Sequence, residues 1–397
     1  MFQPRDAQQS IAAVAGPLAD EITSLNTAVG RVLATSVHAD SDHPPFNRVA
    51  MDGIAIRFSD WQAGLRDFRV SRVQGAGAEP EPLTTSGDCI EIMTGAMLPD
   101  GADTVIPVEQ ISFEANVAHV MESATPKLGG NVHHQGHDRR RGSLLLTRGT
   151  RLRAPEIAIL ASAGVTGVPV IRQPRIAVVS TGDELVEPHL EPKPWQVRRS
   201  NAYGIIAALS ARGYRDICDI HLPDDLPAMI SQLAPLMDQI DVLILSGGVS
   251  AGRFDHVPNA LAALGVTCHF HKVEQRPGRP LWFGADQNRR LVFGLPGNPV
   301  STLICLTRYV LPALALLEDQ SPEVATHLHL QGPDLALPTM TLFMPVTRVD
   351  SAEGLTLAAR PTQGSGDFTA LAETAGFVEL APVATRSQHR LVPFYHW

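Results

Sequence analysis

The apolar positions change rhythm several times along the chain. Ile11, Val14, Leu18, Ile22 and Leu25 recur at three- and four-residue spacing, which predicts an amphipathic helix over the first segment. From Pro44 to about Gly142 the pattern turns into short alternating runs. Examples are Gly53-Ile54-Ala55-Ile56-Arg57 and Thr104-Val105-Ile106-Pro107-Val108, separated by glycine and proline. That texture predicts a strand-rich domain. Leu144 to Val170 reads as a connecting region with a helix around Ala154 to Ala163.

From Arg175 strands and helices alternate. Ile176-Ala177-Val178-Val179 runs into Ser180-Thr181-Gly182-Asp183-Glu184-Leu185. A helix is expected from Ala202 to Arg212, a strand from Asp216 to Leu222, and a helix from Leu226 to Leu236. Val242-Leu243-Ile244-Leu245 then enters Ser246-Gly247-Gly248-Val249-Ser250, with a helix from about His256 to Leu264. Strand-like pieces follow at Thr267 to Val273, Leu281 to Phe283 and Leu291 to Phe293, before Gly294-Leu295-Pro296-Gly297-Asn298-Pro299 and a long final helix. Near-continuous apolar strands are buried on both faces, so this order predicts a mostly parallel sheet covered by helices. After Ser321 short strands return as a small terminal β domain.

Composition bounds the function. A chain of 397 residues holds two to three domains at roughly 150 residues each. With 32 basic and 41 acidic residues the net charge is −9. That balance argues against a nucleic-acid or anionic-membrane partner, which needs a broad basic field. Cys89, Cys218, Cys268 and Cys305 are scattered with no C-x-x-C pair, so a reducing cytoplasm is the expected setting. The opening residues, with Arg5 and Asp6 before a broken apolar stretch, do not read as a secretory signal. Val300 to Leu317 is interrupted by Arg308 and Pro312, so no membrane span is expected.

In an open α/β sheet, ligands gather at the carboxyl ends of the strands, where helix N-termini offer free N–H groups. Three loops have that position here: Thr181-Gly182-Asp183-Glu184, Ser246 to Ser250, and Gly294 through Ser301. Any one of them also fits a plain strand-to-helix turn. All three carry glycine beside Ser or Thr, a composition that lets backbone amides approach an anion. None completes a Walker A loop or G-x-G-x-x-G, so an ordinary ATPase or NAD reader is disfavoured. Asp183, Glu184, Asp224, Asp225 and Asp255 cluster at the same strand ends, as N-caps or as hard oxygen ligands suited to Mg²⁺. Lys272, Arg276 and Arg279 surround the stiff turn Arg276-Pro277-Gly278-Arg279-Pro280, which could hold cations at fixed spacing for a multi-oxygen anion or simply face solvent. The stretch His133-His134-Gln135-Gly136-His137-Asp138 matches no zinc spacing, and Arg139, Arg140 and Arg141 follow it. It reads as a solvated loop.

In order, these loops resemble the molybdopterin molybdenumtransferase family, bacterial MoeA and the gephyrin E domain. The resemblance includes Pro45-Phe46-Asn47-Arg48-Val49-Ala50-Met51-Asp52-Gly53, Ile92-Met93-Thr94-Gly95-Ala96 with Pro99-Asp100-Gly101-Ala102-Asp103, and Asn131 with Gly136 and Asp138. In the α/β segment it runs through Ser180 to Leu185, Ser200-Asn201, Asp224-Asp225, Ser246 to Ser250 with Asp255, and Leu295-Pro296-Gly297-Asn298-Pro299-Val300-Ser301, then Gly364-Ser365-Gly366. It implies a multidomain α/β fold: a MogA-like α/β sandwich domain, a strand-rich second domain, an elongated linking domain and a C-terminal β-barrel-like domain. The implied boundaries are 1–43 with 142–172 (linking), 44–141 (strand-rich), 173–320 (α/β) and 321–397 (terminal).

The resemblance also implies a cytoplasmic homodimer whose active site pairs the α/β domain of one protomer with the second domain of the other. The reaction would insert molybdenum from molybdate into adenylylated molybdopterin, releasing AMP with Mg²⁺ assistance. The alternative is a non-catalytic pterin-nucleotide binding or scaffold paralogue. Asp52, Glu184, Asp225 and Asp255 would be the catalytic carboxylates, with Glu184 and Asp255 on the metal. Thr94, Thr181, Gly182, Ser200, Asn201, Ser246, Gly247, Gly248, Ser250, Pro296, Gly297 and Asn298 would bind substrate, and Lys272, Arg276, Arg279, Ser301 and Ser365 would surround molybdate. This chain departs from the family at Arg276 and Arg279, where lysines are usual, in the His133–His137 loop, and at Thr339-Met340, where Gly-Arg is common. The first change keeps charge but widens the cation.

Overall fold

The central strands of the larger unit have no polar face to turn to water. Every residue of Ile176–Thr181, Val242–Ser246 and Leu291–Leu295 is buried, as befits interior strands covered on both sides. The computed structural model describes residues 1–249, 256–333, 335–351, 354–383 and 391–397. Within it the chain divides into Met1–Ile22 with Gly30–Ala34 and Pro169–Trp397, and Thr23–Val29 with Thr35–Val168. Ser250 and Asp255 lie outside the described residues.

In the larger unit the strands run Ile217–Leu222, Ile176–Thr181, Val242–Ser246, Leu291–Leu295, Trp282–Ala285, Thr267–His271 across a six-stranded sheet. The first four are parallel, Trp282–Ala285 runs antiparallel to them, and the edge strand Thr267–His271 pairs antiparallel with it and so shares the direction of the first four. The mostly parallel sheet foreseen from the pattern is present. Successive side chains alternate between two cores. Ile176, Val178, Ile244 and Phe293 pack with Ile205, Leu209, Tyr309 and Leu314. Ala177, Val179, Leu243 and Leu245 pack with Met229, Leu233 and Leu261.

Two expectations need correction. The first helix is only Pro4–Val14; Gly16 and Pro17 follow, and Ile22 lies in the strand Asp20–Ser24. The helical spacing of Leu18, Ile22 and Leu25 therefore carries across a break, because proline cannot continue the hydrogen-bond ladder of a helix. The last α/β helix, Pro299–Leu317, is long and apolar enough to cross a membrane, with a mean hydropathy of 1.8, despite Arg308 and Pro312. Its apolarity serves the interior: Val300, Ile304, Leu306, Tyr309, Val310 and Leu314 are all buried. Arg308, inside a π-helical stretch at Leu306–Val310, is buried too, paired at 2.8 Å with Glu379.

The terminal strands Thr326–Gln331, Thr341–Ser351, Gly354–Ala359, Gly376–Leu380 and Leu391–His396 close on one another as a five-stranded barrel. Leu342 and Val346 fill its interior with Leu357, Val378 and Phe394. Phe343, on the opposite face of its strand, packs with Val300, Ile304 and Phe377. The short strand Gln275–Arg276, which follows the α/β edge strand in sequence, adds parallel to Thr341–Leu342 and joins the barrel's sheet.

The smaller unit holds a six-stranded sheet ordered Thr104–Pro107, Gly53–Ile56, Asp88–Ile92, Asp67–Gln74, Val117–Val120, Ile111–Glu114. Gly53 is required by strand approach, since a Cβ there would lie 1.9 Å from the Ile106 carbonyl.

At the amino ends of the parallel strands, away from the ligand edge, Asp241 accepts from Arg172 at 2.8 and 2.9 Å and from the Arg175 backbone N–H at 2.8 Å. Burial would raise its pKa, but the hydrogen bonds from Arg172 and Arg175 outweigh it and hold the carboxyl at about 2. A depressed carboxylate stabilises the fold above its ordinary value of 3.8 and loses that contribution as pH falls through about 2. Asp241→Asn should therefore lower stability by roughly 2 kcal/mol at neutral pH. In pH-dependent denaturant unfolding the gap from wild type should close toward pH 2, and a gap independent of pH would count against the clamp.

Candidate functional site

A cavity of about 1120 Å³ opens at the carboxyl edge of the parallel sheet, facing the barrel. Its wall contains Thr181, Gly182, Glu184, Asp224, Gly247, Gly248, Arg276, Arg279, Pro296, Gly297, Asn298, Ser301 and Ser365, so most of the residues singled out in the α/β segment converge. The convergence follows from topology: parallel strands deliver their following loops to one edge.

The glycines are there for close approach. Gly247 has φ +100° and Gly248 φ +65°, and a Cβ on either would come within 2.9 Å of Thr181 atoms. A Cβ on Gly297 would lie 3.7 Å from the Gly247 Cα, so the second and third loops touch. Asn201 ties them together, its amide donating to Ser246 Oγ at 2.9 Å and to the Gly297 carbonyl at 2.7 Å. Thr181 Oγ1 and Asn201 Oδ1 are buried and have no hydrogen-bond partner among the described residues. Buried polar atoms are seldom left so; of the two residues only Thr181 lines the cavity.

Two histidines that the sequence gave no reason to single out steady these loops. His221 Nε2 donates to the Gly182 carbonyl at 2.9 Å, and His271 Nε2 donates to the Val249 carbonyl at 2.8 Å. Each sits at the end of a strand beside its loop, a position readable only once the strand order is known.

Charge is divided across the cavity. On one side lie Glu184 and Asp224, with Asp183 accepting from the Asp224 backbone N–H at 3.2 Å. Burial, and then the neighbouring charges of Asp183 and Glu184, push the Asp224 carboxyl above its usual range. A nearby positive charge would relieve this crowding. On the other side the exposed Arg276 and Arg279 stand on the turn beside the barrel strand.

Ser365 reaches the site from the barrel: its Oγ accepts from Asn298 Nδ2 at 2.6 Å and its carbonyl from the Val300 N–H at 3.0 Å. Met340 and Phe343 also line the wall, so the position where the family often carries Gly-Arg is apolar here.

Some expected residues stand elsewhere. Asp225 caps the helix Leu226–Met237 by accepting from the Ala228 N–H at 2.9 Å, and it does not line the cavity. Lys272, half-buried with φ +74°, is likewise outside the wall. Ser200, Asn201 and Ser246 lie behind the lining. Asp52 and Thr94 belong to the smaller unit and pair with each other: the Thr94 N–H and Oγ1 both donate to Asp52 Oδ1 at 2.7 Å, lowering its pKa. In the same unit His133 and His137 converge on Asp138 at 2.9 and 3.4 Å, while Arg48 lies 3.2 Å from His133 Nδ1. A guanidinium only donates, so His133 carries its proton on Nε2, toward Asp138, where a metal would need a lone pair. The solvated-loop reading is the better fit to that geometry.

The fold and the cavity together define a multidomain protein whose α/β domain carries a ligand site at its carboxyl edge. Residues 2–164 match the MoeA N-terminal region (domain I and II), and residues 177–316 match the probable molybdopterin binding domain. The molybdopterin molybdenumtransferase of Synechocystis sp. is 37% identical over 95% of each chain. That of Bacillus subtilis is 32% identical over 92% of this chain and 86% of its own. The crystal structure of the molybdopterin biosynthesis MoeA protein from Pyrococcus horikoshii superposes with a TM-score of 0.82, covering 100% of both chains at 25% identity. The chain belongs to the MoeA family of molybdopterin molybdenumtransferases.

Gly247→Ala should cost about 1–3 kcal/mol, through a strained backbone and a Cβ pressed to 2.8 Å from the Thr181 carbonyl. Gly366→Ala, at a position with open space, should stay within about 0.5 kcal/mol of wild type. Equal denaturant midpoints for the two variants would contradict the close approach.

Proposed function

We propose that this protein inserts molybdenum from molybdate into adenylylated molybdopterin and releases AMP. The observation that carries the reading is the cavity with glycine loops and carboxylates on one wall and two arginines on the other. Two dithiolene sulfurs bond to molybdenum as one molybdate oxygen leaves as water with both thiol protons. A second water opens the pyrophosphate P–O bond and frees AMP.

The residues divide this work. Backbone around Gly182, Gly247, Gly248 and Gly297, with the Thr181 hydroxyl, receives the pterin nucleotide; Asn201 and Ser246 hold those loops in place, and Ser200 and Ser250 complete them. Arg276 and Arg279 hold the molybdate dianion, aided by Ser301, Ser365 and, from behind the wall, Lys272. Glu184 with Asp255 would hold Mg²⁺, which when bound supplies positive charge to the pyrophosphate. Asp224 lies within the cavity beside Glu184, which makes it a stronger candidate than the cap Asp225. In this reading the protein works as a cytoplasmic homodimer of four-domain chains, divided at the boundaries inferred from sequence, with Asp52 and Thr94 serving the partner's cavity.

Purified protein given adenylylated molybdopterin, molybdate and Mg²⁺ should release AMP stoichiometrically with molybdenum cofactor. Nucleotide binding without AMP release would favour the non-catalytic paralogue instead. Arg276→Ala should raise the molybdate requirement at least tenfold, since charge-assisted bonds contribute about 1.5–3 kcal/mol each. An unaltered molybdate response would remove Arg276 from the oxyanion site. Glu184→Gln should slow AMP release and raise the Mg²⁺ concentration required; an unchanged Mg²⁺ titration would release Glu184 from the metal role.

A further inference from the structure

The turn that carries Arg276 and Arg279 must present its cations outward while its own peptide carbonyls face elsewhere, because a carbonyl dipole aimed at an oxyanion repels it. Beneath the turn lies Gln275, only 1% exposed. Its Nε2 donates to the Pro277 carbonyl at 3.3 Å and to the Gly278 carbonyl at 3.2 Å. Both carbonyls are thereby held inward, the Gly278 carbonyl with added support from the Leu281 N–H at 3.3 Å and Cys305 Sγ at 3.7 Å. The fit is close, since a Cβ on Gly278 would meet Gln275 Nε2 at 2.7 Å and Cys305 Sγ at 2.6 Å.

An amide has two orientations, and only one serves. If Gln275 were flipped, its oxygen would face the two carbonyls. Tyr309 selects the orientation: its buried hydroxyl donates to Gln275 Oε1. Burial pushes the Tyr309 phenol well above its ordinary pKa, so it stays protonated and stays a donor. Tyr309 sits in the π-helical stretch Leu306–Val310, a feature often found at functional sites. Its neighbour Arg308 pins that stretch, donating to Glu379 at 2.8 Å and to Gln8 at 2.7 Å, while the Tyr395 hydroxyl also reaches Glu379 at 2.8 Å.

We propose that Tyr309 and Gln275 are a positioning pair for the oxyanion: the phenol orients the amide, the amide turns the Pro277 and Gly278 carbonyls inward, and the guanidinium groups of Arg276 and Arg279 are left to face a tetrahedral dianion. This rests on the molybdate reading of the site. Neither residue touches the reacting atoms.

Calorimetric titration with sodium molybdate, paired with AMP-release kinetics, tests it. Tyr309→Phe keeps the ring and removes only the donor. It should raise the molybdate Kd and the molybdate KM about tenfold, while KM for adenylylated molybdopterin and kcat stay within twofold of wild type. Gln275→Met should reproduce that pattern. The double variant should be no worse than Gln275→Met alone, because both changes remove one support. A general loss of packing would instead raise both KM values together. Molybdate binding within twofold of wild type in both single variants, or strictly additive losses in the double, overturns the pair. If one variant does not fold, the other alone decides. A wild-type protein that neither binds molybdate nor releases AMP would sink the functional reading itself, and this inference with it; wild-type activity with unaffected variants would sink the pair alone.

Discussion

Parallel strands impose one direction on everything that follows them. Ile176–Thr181, Ile217–Leu222, Val242–Ser246 and Leu291–Leu295 all deliver their carboxyl ends to the same edge, so four separate loops must share one space. Helices that leave that edge point unpaired N–H groups back toward it. A chain with a net charge of −9 can therefore offer a local site for anions without any broad basic surface. The amino edge bears a different duty: there Asp241 and its two arginines fix the start of the central strand.

The charge division in the cavity has the same origin. Carboxylates come from the loops of the first two strands, Glu184 and Asp224, and crowd one another enough to lift the Asp224 pKa. The guanidinium groups come from a turn that follows the edge strand Thr267–His271 and joins the barrel through Gln275–Arg276. These cations thus arrive on a different structural element from Glu184 and Asp224, although Arg279 also stands 3.8 Å from Glu274 on its own segment. The barrel contributes contact from its own side, with Ser365 bonded to Asn298 and with Met340 and Phe343 in the wall.

What was legible from the chain was what depends on short-range pattern. The buried strands announced themselves as unbroken apolar runs, and the glycine loops as breaks after them. The first helix was overextended because Leu18, Ile22 and Leu25 keep helical spacing beyond Gly16-Pro17, a case where proline chemistry outweighs periodicity. Asp225 looked like a ligand beside Asp224, yet Pro227 in the first helical turn marks it as a cap. Gln275, Tyr309, His221 and His271 were invisible for another reason. Each acts through hydrogen bonds to a carbonyl or amide brought into reach by the fold, and no local spacing announces them. The smaller unit's motif residues Asp52 and Thr94 stood out in sequence, and the fold joins them through two hydrogen bonds.

Tungstate has the charge and tetrahedral shape of molybdate and scatters anomalously, so its place in a crystal can be found without prior phases. Crystals soaked in sodium tungstate should show a single strong anomalous peak within hydrogen-bonding reach of the Arg276 and Arg279 side chains. A peak elsewhere on the surface, with those two guanidinium groups vacant, would contradict a cavity built to bring an oxyanion to a pterin nucleotide.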